Sequence, residues 1–184
     1  MKTYFLPLLL ALALFACTSK KKEERDQKIK EISKAKDDFY KAIDGQNIDY
    51  GLAKVLFDKY DSFVMEYPKD TLVPDFKVEQ ALLCSSYLGE SKRAIDLYMS
   101  VVNDFPDCGK VPFALFAAAD LFSTKLKDTD NAKKLYDRLI KEYPESKWAE
   151  DAKVLVKYLG MSDEEILQEI LKKSGQENQT ASEE

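Results

Sequence analysis

Three prolines, Pro68, Pro106 and Pro144, recur at equal intervals of 38 residues. Proline lacks an amide hydrogen and its ring clashes with the preceding turn, so it ends helices. Evenly spaced stops of this kind predict repeated helical hairpins. The residues upstream repeat as well: an aromatic just before each proline (Tyr67, Phe105, Tyr143) and an acid before that (Glu66, Asp104, Glu142). Eight positions back stands a tyrosine every time, Tyr60, Tyr98 and Tyr136. Leu56, Ala94 and Ala132 stand twelve back, while Phe63, Val101, Leu139 and Val64, Val102, Ile140 occupy the fifth and fourth places back. These offsets share one face of a helix, the face that must be buried. The three tyrosines are therefore expected to pack between helices, not to form a ladder for a ligand.

The pattern predicts eight helices, at about 22–44, 48–66, 73–88, 91–104, 110–125, 130–142, 147–159 and 162–173. Pro74 and Pro112 fall near helix starts, where a missing amide costs little. Ser162 and Glu165 form a capping box, with Met161 and Ile166 as its hydrophobic staple. The last helix carries Ile166, Leu167, Ile170 and Leu171 on one side and is expected to close the end of the stack. With 33% charged and 45% hydrophobic residues, the composition suits amphipathic helices.

The spacing of a small residue, an aromatic four later and a proline eight beyond that resembles the tetratricopeptide repeat. Ala94, Tyr98 and Pro106 fit it, as do Ala132, Tyr136 and Pro144; Leu56 replaces the small residue in the first copy. Gly89 takes the place of the usual glycine between paired helices, and a longer turn is expected at Lys125 to Asp130 in the next pair. The period exceeds the family's roughly 34 residues by about one helical turn. The resemblance implies an all-α fold, antiparallel helix hairpins stacked as a short superhelix of the α-solenoid type. It also implies a protein or peptide partner held in a concave groove, and the family's groove positions fall on Phe76, Glu79 and Leu83 in one repeat and Ala114, Ala117 and Leu121 in the next. The helix from Lys110 to Leu126 is apolar around nearly its whole circumference, through Phe113, Ala114, Leu115, Phe116, Ala117, Ala118, Ala119, Leu121 and Phe122. Core packing explains most of such a helix; the alternative is that part of it lines the groove.

The first residues carry a second signal. Lys2 precedes an apolar run from Phe5 to Phe15, which leads through Ala16 to Cys17 and then to an abruptly hydrophilic stretch. That is the layout of a secretory signal peptide, and the run is well short of the roughly 20 residues a helix needs to cross a bilayer. Leu14-Phe15-Ala16-Cys17 resembles the lipobox of bacterial lipoproteins, in which the cysteine is diacylated and becomes the new N-terminus; the alternative is simple secretion, with Ala11-Leu12-Ala13 serving an ordinary signal peptidase. Thr18 in place of an aspartate implies the outer membrane, facing the periplasm, with exposure at the cell surface the alternative. The expected organisation is a signal peptide at 1–16, a lipidated tether at 17–24, a repeat domain at 25–173 and a disordered acidic tail at 174–184. Similar exported tetratricopeptide lipoproteins are those associated with the Tol-Pal system and with barrel assembly. The resemblance thus implies a scaffold in the envelope; the other readings are envelope maintenance, outer-membrane protein assembly and capture of carbohydrate.

Enzymatic chemistry finds little support. The chain has no histidine, which removes Ser-His-Asp and Cys-His nucleophiles and histidine metal sites. It has no glycine-rich phosphate loop, and neither cofactor nor metal is expected. Acids such as Asp128, Asp130, Glu145, Glu150 and Asp151 sit at turns and first helical positions, where they complement positive helix ends. A formal net charge of −5 excludes a phosphate-binding surface in bulk, so nucleic acid is not an expected partner.

Overall fold

A computed structural model describes residues 5–43 and 49–180, with side chains described for 20–43 and 49–172. The helices are α1 (Phe5–Ala42), α2 (Tyr50–Glu66), α3 (Val73–Leu83), α4 (Ser91–Asp104), α5 (Val111–Thr124), α6 (Thr129–Glu142), α7 (Lys147–Tyr158) and α8 (Asp163–Thr180). A five-residue π-helical turn, Cys84–Leu88, continues α3. Among the described residues there is no strand, and the architecture is an all-α helical repeat. Two compact units divide it after Glu90. In the first, α2 packs against both α1 and α3; in the second, α5 packs against α4, α6 and α7.

The repeat is written most plainly in the turns after the prolines. Tyr67, Phe105 and Tyr143 each donate their amide to a carbonyl four back, on Phe63, Val101 and Leu139. Each in turn accepts from the residue three ahead, Asp70, Cys108 and Ser146. Those residues then accept the amides of Val73, Val111 and Ala149. One turn geometry is thus used three times in the same register, because the proline forbids the helix to continue and the backbone groups it strands must be satisfied locally. Side chains finish the caps: Asp49 accepts from the Leu52 amide at 3.0 Å, Asp128 from Asn131 at 3.0 Å and Ser146 from Trp148 at 3.2 Å. The capping box forms as expected, Ser162 accepting from the Glu165 amide at 3.2 Å and Glu165 from the Ser162 amide at 2.7 Å.

Tyr60, Tyr98 and Tyr136 are each only 1% exposed, and each meets a phenylalanine of a neighbouring helix. Ring centroids lie 5.0 Å apart for Tyr60 and Phe76, 5.9 Å for Tyr98 and Phe113, and 5.8 Å for Tyr136 and Phe116. Around them Phe63, Val101 and Leu139 are fully buried. In the first unit α1 contributes Ile32, Ala35 and Phe39 to the core, and its docking on that unit begins at Arg25, whose guanidinium grips Asp70 with two nitrogens. Residues 20–24 of the same helix are exposed.

Several expectations change. The backbone is helical across 17–24, the segment expected as a lipidated tether. Lysine and glutamate there favour helix, and Lys20 pairs with Glu24 at i,i+4. Helix α8 runs on to Thr180, into the segment expected as a tail, where Gln176, Glu177 and Gln179 are good helix formers. The turn between α5 and α6 is the same device as the one before α4. Lys127, one period after Gly89, takes the same left-handed backbone, with φ 55° against 68°. Helix α8 does not close the stack: Leu167, Ile170 and Leu171 stay exposed, as do Val154 and Leu155 of α7. Residues 1–4, heading the expected signal peptide, and 181–184, ending the expected tail, lie outside the described residues, as does the side chain of Cys17. Among the described residues no helix is long and apolar enough to cross a membrane.

If the buried rings hold the repeat, Tyr136→Ala costs about 3–5 kcal/mol, the usual price of deleting a core aromatic. Leu167→Ala on the exposed stripe costs within about 0.5 kcal/mol. Chemical denaturation followed by circular dichroism compares the two.

Candidate partner surface on α5 and α7

Helix α5 is split lengthwise. Val111, Ala114, Leu115, Ala118, Ala119 and Leu121 are buried, whereas Phe113, Phe116, Ala117 and Asp120 are half-buried. The second set follows i, i+3, i+4, i+7 spacing and so forms one continuous stripe. Core packing therefore accounts for one face of this apolar helix and leaves the other accessible.

Across from the stripe, the Ser146 cap starts α7 and sets Trp148, itself half-buried, between the two phenylalanines. Its ring lies 5.0 Å from Phe113 at 55° and 5.1 Å from Phe116 at 39°. Lys147 folds its ammonium over the indole at 4.4 Å, a cation–π contact that covers part of the ring. Trp148 does not figure among the positions inferred from the family. It is more than thirty residues from Phe116 in sequence, and only the packing of α7 on α5 joins them.

Beyond Ala117 the stripe ends in a cavity of about 430 Å³. Its walls come from the ends of α5 and α7, from Tyr136 of α6, and from Met161, Asp163 and Ile166 where α8 begins. Asp120 projects from the stripe into this cavity. Burial raises its pKa, opposed by the charge of Lys125 and by the Thr124 hydroxyl. Tyr136 is raised too, first by burial and then by the neighbouring Asp120 carboxylate. No ion pair within 4 Å joins Asp120 to a described lysine or arginine.

The positions carried over from the family fall as follows. Leu83, Ala114 and Leu121 are buried, at 2%, 0% and 6% exposure, and present almost no surface. Phe76 is half-buried, its face against Tyr60 and its edge against Phe63. Glu79 is ion-paired to Lys36 of α1 at 2.7 Å. Ala117 is the one that lies on the α5 stripe. Phe76, Glu79 and Leu83 belong to the first unit, while Ala114, Ala117 and Leu121 belong to the second.

A carboxylate whose pKa is raised by folding opposes the fold when charged. That cost is present at neutral pH and disappears once the pH falls low enough for the group to be neutral in both folded and unfolded chains. Asp120→Asn is accordingly expected to raise Tm at pH 7, and the gain should shrink toward pH 4. Thermal melts of both proteins across that range check the sign; a lower Tm for the variant at pH 7, or a difference independent of pH, contradicts it.

The comparisons with known proteins follow the same part of the chain. No curated protein matches it. The family model described as tetratricopeptide repeat matches residues 113–146, from the α5 stripe through α6 to the cap of α7, which supports reading the chain as a tetratricopeptide repeat protein.

Proposed function

We propose that this chain is a scaffold of the bacterial cell envelope, anchored to the outer membrane through a lipid on Cys17, that holds a protein partner along the aromatic stripe of α5 and α7. The observation that carries the binding half is the partly exposed set Phe113, Phe116 and Trp148: both phenylalanines lie in the region matched by a repeat whose general use is protein interaction, and Trp148 stands two residues beyond it. Aromatic side chains clustered in a partly desolvated patch are the usual anchors of interfaces. The rings meet at 55° and 39°. That tilt suits the uneven surface of a peptide better than the coplanar platform a sugar ring stacks upon, so peptide is the favoured ligand over glycan.

Catalysis has no part in this reading, since tetratricopeptide repeats are in general interaction modules and the chain lacks histidine. The anchoring half rests on the sequence: an apolar run, a small residue, then Cys17. Two acyl chains on that cysteine would supply stable attachment at ~0.8 kcal/mol per buried methylene. Helical residues 17–24 would then carry the domain away from the bilayer, and packing within the first unit starts at Arg25. The partner classes that fit are those of envelope maintenance and outer-membrane protein assembly.

Two experiments test the halves separately. Cys17→Ala should move the protein from the membrane to the soluble fraction; an unchanged membrane-bound share contradicts the anchor. A photo-crosslinking residue at position 116 should capture one predominant protein in the native envelope, and the same probe at exposed position 157 should not. Equal capture at both positions removes the stripe as the binding surface.

A further inference from the structure

The cavity at the end of the α5 stripe has an unusual chemistry for a gap between helices. It holds two carboxylates, Asp120 and Asp163, against one ammonium, Lys127, and the rest of its wall is largely apolar and aromatic. Asp120 is only partly exposed, and neither acid has a lysine or arginine within 4 Å among the described residues. The nearby cation, Lys125, acts on Asp120 through space only. A partly desolvated carboxylate without a close cation is costly, so the surplus of negative charge in this cavity, two acids against Lys127, favours a counter-charge from outside. About 430 Å³ lies within the size range of small-ligand pockets, about 300–1,000 Å³.

Position gives the counter-charge its source. Phe113, Phe116, Ala117 and Asp120 lie along one face, so a chain lying on the aromatic stripe is led directly to the cavity. We infer that the cavity receives a basic side chain, arginine foremost, from the protein segment that binds along α5 and α7. The bound segment then has apolar residues over Phe113, Phe116 and Trp148 and an arginine reaching Asp120. Arginine is favoured over lysine because its planar fork matches a carboxylate with two hydrogen bonds and stacks on aromatic rings, and Tyr136 and Tyr158 are both in the wall. This specificity rests on the protein-binding reading above and narrows it from any apolar partner to a basic and apolar one.

The test uses the purified full chain and capped peptides of sequence Leu-Gly-Leu-X-Leu, with arginine, norleucine or glutamate at X. Trp148, the chain's single tryptophan, reports binding by fluorescence. The arginine peptide should bind about tenfold more tightly than the norleucine peptide, and the glutamate peptide more weakly still. Asp120→Asn should erase the preference for arginine while leaving norleucine binding within about twofold, with circular dichroism confirming that the variant is folded. Equal binding of arginine and norleucine, a preference that survives in Asp120→Asn, or no binding of any peptide at millimolar concentration overturns the inference. Crosslinking separates this from the broader reading. A partner captured at position 116 as efficiently in Asp120→Asn as in the unaltered protein overturns the arginine site and leaves the scaffold reading standing; capture by neither overturns both.

Discussion

A tyrosine ring wedged against a phenylalanine of the neighbouring helix is the contact on which each repeat turns. Burying such a ring removes roughly 150–250 Å² from water, and the tilted or edge-on meeting with a second ring adds about 0.5–1.5 kcal/mol. In a quasi-one-dimensional fold, where each repeat touches only its neighbours, no distant contact can compensate for losing it. The ring at Tyr60, Tyr98 or Tyr136 fixes how two helices face one another. The proline eight residues on then fixes where the helix stops, and the three identical turns that follow aim the next helix. Local rules and packing agree at every step.

The partner surface follows from the same packing. Phe113 and Phe116 each meet both a repeat tyrosine and Trp148, and each stays partly exposed. Helix α5 can be apolar nearly all round because its inner face serves the core and its outer face is only half covered by α7. Beyond Ala117 the helix carries Asp120, and a cavity lies among the ends of α5 and α7 and the start of α8. The exposed Leu167, Ile170 and Leu171 show how little α8 covers this end.

Much of the fold was legible in the residues. Counting the π-helical turn as the end of α3, helix bounds from α2 to α7 lie within two positions of those expected, because prolines, caps and periodic burial are local signals. The π-helical turn at Cys84–Leu88 left no such signal. Within it Tyr87 lies edge-on to Phe39 at 5.0 Å, a long-range contact. Lys127 in a left-handed turn was hidden because lysine is a poor marker of that backbone, and only its spacing from Gly89 betrays it. Apolar periodicity identified the stripe on α8 but could not say whether anything covers it. On α5 the register carried over from the family differs by one residue from the half-exposed face. One residue is roughly 100° of rotation on a helix with 3.6 residues per turn, which puts Ala114 and Leu121 in the core and leaves Phe113, Phe116 and Asp120 outside it. Trp148 and the cavity arise from α7 packing on α5, which no local pattern encodes.

The central claim is that the tyrosine recurring at each repeat interval is buried against a phenylalanine of a neighbouring helix. Nuclear Overhauser effects between aromatic protons measure this directly. The account predicts strong cross-peaks for Tyr60 with Phe76, Tyr98 with Phe113 and Tyr136 with Phe116, all present in the same sample. Tyrosines with solvent-like shifts and no cross-peak to these phenylalanines would contradict it.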